Sequence, residues 1–175
     1  MSLMGGSYLV KGISRTTLHE IRDTPSGERD EAMKILVAID GSKDAAKGAV
    51  LALEMAKTQK AEVTLLAVIP LYPEIDLEIS ARARNSLENK LSAQAEKALG
   101  EAQRTFKAEG IEPKSLIVSS GAVADEIVKT AEEEKSDLIV IGGRGLGATG
   151  RFSLGGTAMK IIGQARCSVL VARAD

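Results

Sequence analysis

The sequence predicts an α/β domain: a doubly wound five-stranded parallel sheet with helices on both faces. Three observations predict it. Five short apolar runs, of the kind found in strands buried on both faces, recur along the chain. Stretches of helical period separate them. Strands that alternate with helices pack as a parallel sheet with right-handed crossovers.

The first strand is Lys34-Ile-Leu-Val-Ala-Ile39, ended by Asp40-Gly41-Ser42. Lys43 to Thr58 follows as a helix with Ala46, Val50, Leu53 and Ala56 on its apolar side. The second strand, Glu62 to Ile69, is closed by Pro70 and Pro73. A long helix over 77–109 carries Leu87, Leu91, Ala95, Ala98, Ala102 and Phe106 on one stripe, and Gly110 stands where a C-terminal cap belongs. Leu116 to Val118 is the third strand. The third helix, Val123–Lys135, turns Ile127, Val128 and Ala131 inward. Asp137 to Ile141 is the fourth strand. A glycine-rich loop, a short helix from Thr157 to Gln164 and a fifth strand, Ser168 to Ala172, complete the pattern. The domain is expected over 33–175. Residues 1–32 form a polar N-terminal extension, in which 1–3 read as a vector-derived scar.

Composition narrows the function. The 175 residues carry 23 Lys+Arg against 24 Asp+Glu, so the basic excess that a nucleic-acid surface needs is missing. Aromatics are 2%, too few for a stacking platform on single strands. One cysteine, Cys167, leaves neither an internal disulfide nor a cysteine metal cluster. One histidine, His19, argues against a Ser-His-Asp mechanism and a histidine metal site. No apolar run reaches the roughly 18–20 residues that span a bilayer, and the N-terminus lacks the pattern of a signal peptide. A cytoplasmic location is the expectation, without membrane or nucleic-acid partners.

The loop after the fourth strand carries the densest chemical signal. Gly142-Gly143-Arg144-Gly145 opens it and Gly155-Gly156-Thr157 ends it at a helix start. Glycines let backbone approach a ligand closely, and helix N-terminal amides suit a phosphate. Ligands of open α/β sheets sit at the carboxyl ends of strands, where this loop emerges. The same residues also fit a plain crossover loop. The Walker pattern is absent, and Gly145, Gly147 and Gly150 match G-x-G-x-x-G only after the fourth strand, with no acidic residue about 20 positions on. Asp40, at the tip of the first strand, can face the same crevice and bond a ribose hydroxyl or an adenine amine; a turn aspartate is the alternative. Val68 can wall a base or belong to the core. Arg144 and Arg151 can neutralise phosphate charge or stand in solvent. Cys167 reads as a small core hydrophobe.

These residues carry a resemblance. Val37-Ala-Ile-Asp-Gly-Ser42, Leu66-Ala-Val68, Gly121 with Asp125-Glu-Ile-Val128, Asp137-Leu-Ile-Val-Ile-Gly142 and Cys167-Ser-Val-Leu-Val171 resemble the universal stress protein family over Met33 to Arg173. Nucleotide-binding members of that family carry Gly-x₂-Gly-x₉-Gly-(Ser/Thr), which Gly142, Gly145 and Gly155 match in spacing. The resemblance implies the strand order 3-2-1-4-5, contacts from Asp40 and Val68 to adenine, and Ala38 and Gly142 beside the ribose. It also implies phosphates held by Gly145, Gly155 and the following amides of Gly156 and Thr157, with Mg²⁺ on the phosphate oxygens. Dimerisation through 168–172 is a further implication, and an uncovered apolar edge strand does invite pairing. One departure stands out. Gly156 occupies the Ser/Thr position of the signature, and the lost hydroxyl is worth about 0.5–1.5 kcal/mol. The expectation is an ATP-binding universal stress protein, a dimeric cytoplasmic stress sensor or regulator with no catalytic residues and at most slow ATP hydrolysis. The alternatives are an interaction module of the same fold that binds no nucleotide, and an adenylyl-transferring or pyrophosphatase-like enzyme relying on Asp40.

Overall fold

The computed structural model describes residues 9–10, 31–70, 80–120, 122–145 and 154–174. The strands are β1 (Leu9–Val10), β2 (Lys34–Ala38), β3 (Glu62–Pro70), β4 (Lys114–Ser120), β5 (Leu138–Gly142) and β6 (Ser168–Ala172). The helices are α1 (Lys43–Gln59), α2 (Ala81–Ala108), α3 (Val123–Glu133) and α4 (Gly156–Gln164). The sheet runs β1-β6-β5-β2-β3-β4. Strands β2 to β6 are mutually parallel and stand in the predicted order 3-2-1-4-5. Strand β1 adds to the β6 edge antiparallel, with Leu9 opposite Val171 and Val10 opposite Leu170.

Alternation along each strand divides the core in two. Ile35, Val37, Val63, Leu65 and Val140 face one layer with Ala52, Leu53, Leu99 and Phe106 of α1 and α2. Leu36, Leu66, Ile139, Ile141 and Val169 face the other, with Ile127, Ala131 and Ile161 of α3 and α4. Successive strand residues point to opposite faces, so a strand covered on both sides must be apolar throughout. Residues 35–38 and 138–142 read that way for this reason.

The structure corrects several expected faces. Helix α1 buries Ala45, Ala49, Ala52, Leu53 and Ala56, whereas Ala46 and Val50 point outward, Val50 being 42% exposed. The buried stripe is one of small residues, which brings the helix close to the sheet. A Cβ placed on Gly48 would stand 3.2 Å from Val140 Cγ1. Helix α2 begins at Ala81, capped by the Ser80 hydroxyl, which accepts from the Ala83 amide. Leu87 is exposed, and the helix becomes fully buried only at Leu99 and Phe106. Gly110 ends it as expected. Its φ is +79°, and the Gly110 and Ile111 amides donate to the Lys107 and Phe106 carbonyls, a Schellman termination. Strand β4 is longer than Leu116–Val118 and lies at the sheet edge with Ile117 exposed. Helix α3 stops at Glu133, two residues earlier than expected, β5 runs Leu138–Gly142, and α4 starts one residue earlier, at Gly156. His19, Arg151, Gly121, Gly147, Gly150 and residues 77–79 lie outside the described residues.

Candidate nucleotide site

Strands β2 and β5 are neighbours from which the chain winds in opposite directions: β2 leads through α1 to β3, and β5 through α4 to β6. Beyond their carboxyl ends the sheet leaves a crevice, the usual ligand position in an open α/β fold. A cavity of about 330 Å³ fills it. That lies at the small end of the range for small-molecule sites, about 300–1,000 Å³.

The floor of this cavity is set by two turns. After β2, Gly41 takes φ +82° and the Ser42 amide donates to Asp40 Oδ1 at 2.8 Å. Ser42 then caps α1, its hydroxyl accepting from the Ala45 amide at 3.1 Å. Asp40 is therefore a turn aspartate and a lining residue at once. Its Oδ2 stands where a Cβ on Gly145 would come within 3.2 Å. After β5, the Gly143 amide donates to the Ala172 carbonyl at 2.7 Å, and the Gly155 amide donates to the Gly143 carbonyl at 2.8 Å. These bonds tie the chain on either side of the glycine loop to the end of β6. Gly142 is demanded by packing: a Cβ there would stand 2.7 Å from the Ala45 nitrogen.

Helix α4 begins at this floor. Its N-cap is Gly155, which offers no capping side chain, so the first-turn amides lack an intrahelical acceptor and face the cavity end of the helix. Around Gly156 no atom lies within 4 Å of a built Cβ. The walls are aliphatic: Ala38, Leu66 and Val68 from the sheet, Val123 and Ile127 from the start of α3, and Ile161 from α4.

Ala38, Asp40, Val68, Gly142, Gly145, Gly155, Gly156 and Thr157 thus line one cavity. Arg144 does not. Its Nε and Nη2 donate to Asp44 Oδ2 and Oδ1 at 2.9 and 3.0 Å, and Nη2 also donates to the Ala174 carbonyl at 2.8 Å. Asp44 is 3% exposed and accepts the Ala174 amide at 2.9 Å. The Arg144 guanidinium holds the Asp44 carboxyl below its ordinary range against burial, which pushes it upward. Arg144, expected from the sequence to neutralise phosphate, is directed here at a buried carboxylate and lies outside the cavity lining. Asp40 is the only charged side chain among the described lining residues.

Sequence reasoning assigned Ile127 only to the core and gave Val123 and Ile161 no role at the site. The available signal was positional, because the start of a helix that follows a parallel strand borders the carboxyl-end crevice. Cys167 is half-buried against the second core layer, and burial pushes its thiol upward, which disfavours the reactive thiolate.

The chain is thus an open α/β domain that sets an aliphatic crevice and an uncapped helix start side by side at its switch point. The Universal stress protein family matches residues 31–173, and the chain belongs to that family. It is 35% identical over 139 residues to "Universal stress protein in QAH/OAS sulfhydrylase 3'region" of Thermus aquaticus, covering 79% of this chain and 97% of that protein. Among solved structures it resembles hypothetical protein MJ0577, with TM-score 0.70 and 28% identity over 82% of this chain and 97% of the other. It also resembles the universal stress protein from Archaeoglobus fulgidus in complex with dAMP, with TM-score 0.59 and 25% identity over 80% and 97% of the two chains. No helix among the described residues is long and apolar enough to cross a membrane.

Proposed function

We propose that the chain binds an adenine nucleotide, ATP with Mg²⁺, in the β2–β5 crevice and serves as a dimeric cytoplasmic stress sensor or regulator. The observation that carries this reading is the uncapped start of α4 facing an aliphatic crevice that glycines keep open. Phosphates would lie against the Gly156 and Thr157 amides, which supply donors and the positive end of the helix dipole. The base would lie between Val68, Ala38 and Ile127, with Asp40 offering its carboxylate to a ribose hydroxyl or amine. Mg²⁺ would ride on the phosphate oxygens, since Asp40 is the only lining carboxylate described. A dAMP complex of a structural neighbour supports the adenine preference. The reading assigns binding rather than turnover: hydrolysis needs a base placed against a water, and Asp40, already bonded to the Ser42 amide, is the single candidate among the described lining residues. Homodimerisation would use the β6 edge.

A ligand bound only by the folded chain stabilises it by about 2.7 kcal/mol at 100 times its Kd. Saturating Mg-ATP is therefore expected to raise Tm by roughly 5–10 °C. Gly155→Val should remove most of that rise while leaving the unliganded Tm within a few degrees. Its φ of −65° and ψ of 152° suit a β-branched residue, and its Cβ meets nothing closer than 3.5 Å. An unchanged rise in this variant would move the phosphates elsewhere.

Gly156→Ser is expected to tighten nucleotide binding several-fold by adding one hydroxyl donor in open space. Isothermal titration checks it. Unaltered affinity would place the phosphates beyond reach of that side chain.

A second reading, an interaction module without nucleotide, is favoured by the diversion of Arg144, which leaves no lysine or arginine among the described lining residues. Chromatography of the denatured, freshly purified protein for released nucleotide distinguishes the two.

A further inference from the structure

We propose that the N-terminal strand β1 is a tethered cover for the β6 edge that competes with a second copy of this chain for the same backbone groups. The proposal rests on the reading that copies meet at β6, and it assigns a task to the extension that the nucleotide site leaves unused.

The outermost parallel strand, β6, carries Val169, Leu170 and Val171 in a five-residue run. An edge strand of this kind presents a row of backbone donors and acceptors that another strand can take up. Here Leu9 and Val10 take them up antiparallel, opposite Val171 and Leu170. Every other pairing in the sheet is parallel and reached through a helical crossover. Strand β1 is therefore an addition from outside the α/β repeat.

Among the described residues the cover engages two of the five, Leu170 and Val171. In the sequence Leu9-Val10 lies between Gly5-Gly6 and Gly12, residues that disfavour extension of a strand. Twenty residues, 11–30, join it to the chain before β2. Belonging to the same chain, β1 meets the edge at an effective concentration that does not depend on how much protein is present.

A second copy suits the same edge. Two β6 strands related by a two-fold axis pair antiparallel, the orientation that β1 already adopts, and a two-fold pairing closes on itself. Its partner strand would bring five residues to the edge. The two occupants exclude one another at Leu170 and Val171. In this arrangement the tether sets the chain concentration at which dimers form.

The test uses the full chain with Leu9→Pro/Val10→Pro, which removes the two backbone N–H groups of β1. Dimerisation constants are measured by sedimentation equilibrium for the unaltered chain and the variant, with circular dichroism confirming that both are folded. The expected result is dimerisation about tenfold tighter, or more, in the variant. Equal constants, or weaker dimerisation in the variant, would overturn the cover while leaving the β6 dimer standing. Two monomers up to millimolar concentration would overturn both this proposal and the dimer reading, with the nucleotide site untouched.

Discussion

Arg144→Ala is expected to lower Tm by several degrees. Removing one member of a buried ion pair strands the other, and that typically costs 3–5 kcal/mol. The Arg144 side chain is 25% exposed against 4% for Asp44, so solvent moderates the loss. Without the guanidinium, Asp44 keeps the Ala174 amide and loses both charged donors. The double variant Asp44→Ala/Arg144→Ala should be less destabilised than the sum of the single ones, because no carboxylate is left buried. Urea unfolding of the four proteins measures the coupling.

The sign of the pH dependence follows from the carboxyl. Asp44 in the folded chain releases its proton at lower pH than in the unfolded chain. Its contribution is therefore complete above the ordinary carboxylate range and drains away as pH falls through the folded value. The stability gap between the unaltered chain and Arg144→Ala should narrow below about pH 4. A gap that stays constant down to pH 3 would place the effect in packing and not in charge.

Gly142→Ala is expected to destabilise by about 3 kcal/mol, the upper end of what one added carbon costs in a filled interior. The new Cβ would stand 2.7 Å from the Ala45 nitrogen, 3.0 Å from the Asp44 carbonyl carbon and 3.1 Å from Asp44 Cβ. Two of these atoms are backbone in the first turn of α1, so relief requires the helix start to move away from β5. That displacement would carry Asp44 away from Arg144 and open the floor of the crevice. Nucleotide binding should fall with stability. Gly156→Ala is the control, since it adds the same atom where nothing lies within 4 Å and should change stability by under about 0.5 kcal/mol. Thermal unfolding of the pair separates a steric cause from a general intolerance of alanine.

The sheet was legible because burial on both faces leaves no polar position, so Ile35–Ala38 and Leu138–Gly142 read as strands without ambiguity. The crevice was legible from glycine spacing together with the rule that ligands sit at strand carboxyl ends. The register of α1 was not. Its buried face is written in alanines, and a reading weighted by side-chain size preferred Val50. The partner of Arg144 was hidden for another reason: Asp44 lies 100 positions away, and nothing local in the sequence couples them. Strand β1 has two described residues, too few to show a period, so only its neighbour in space reveals it.

The Asp44 clamp also bears on how the molecule comes together. It joins residues 100 and 130 positions apart, while the neighbouring elements β2, α1 and β3 are contiguous in the chain. Contacts that close such long loops form after local ones, because their closure entropy must be met first. For the nucleotide site proposed above, competence to bind is therefore expected late in refolding, after β2, α1 and β3 have formed and these long loops have closed.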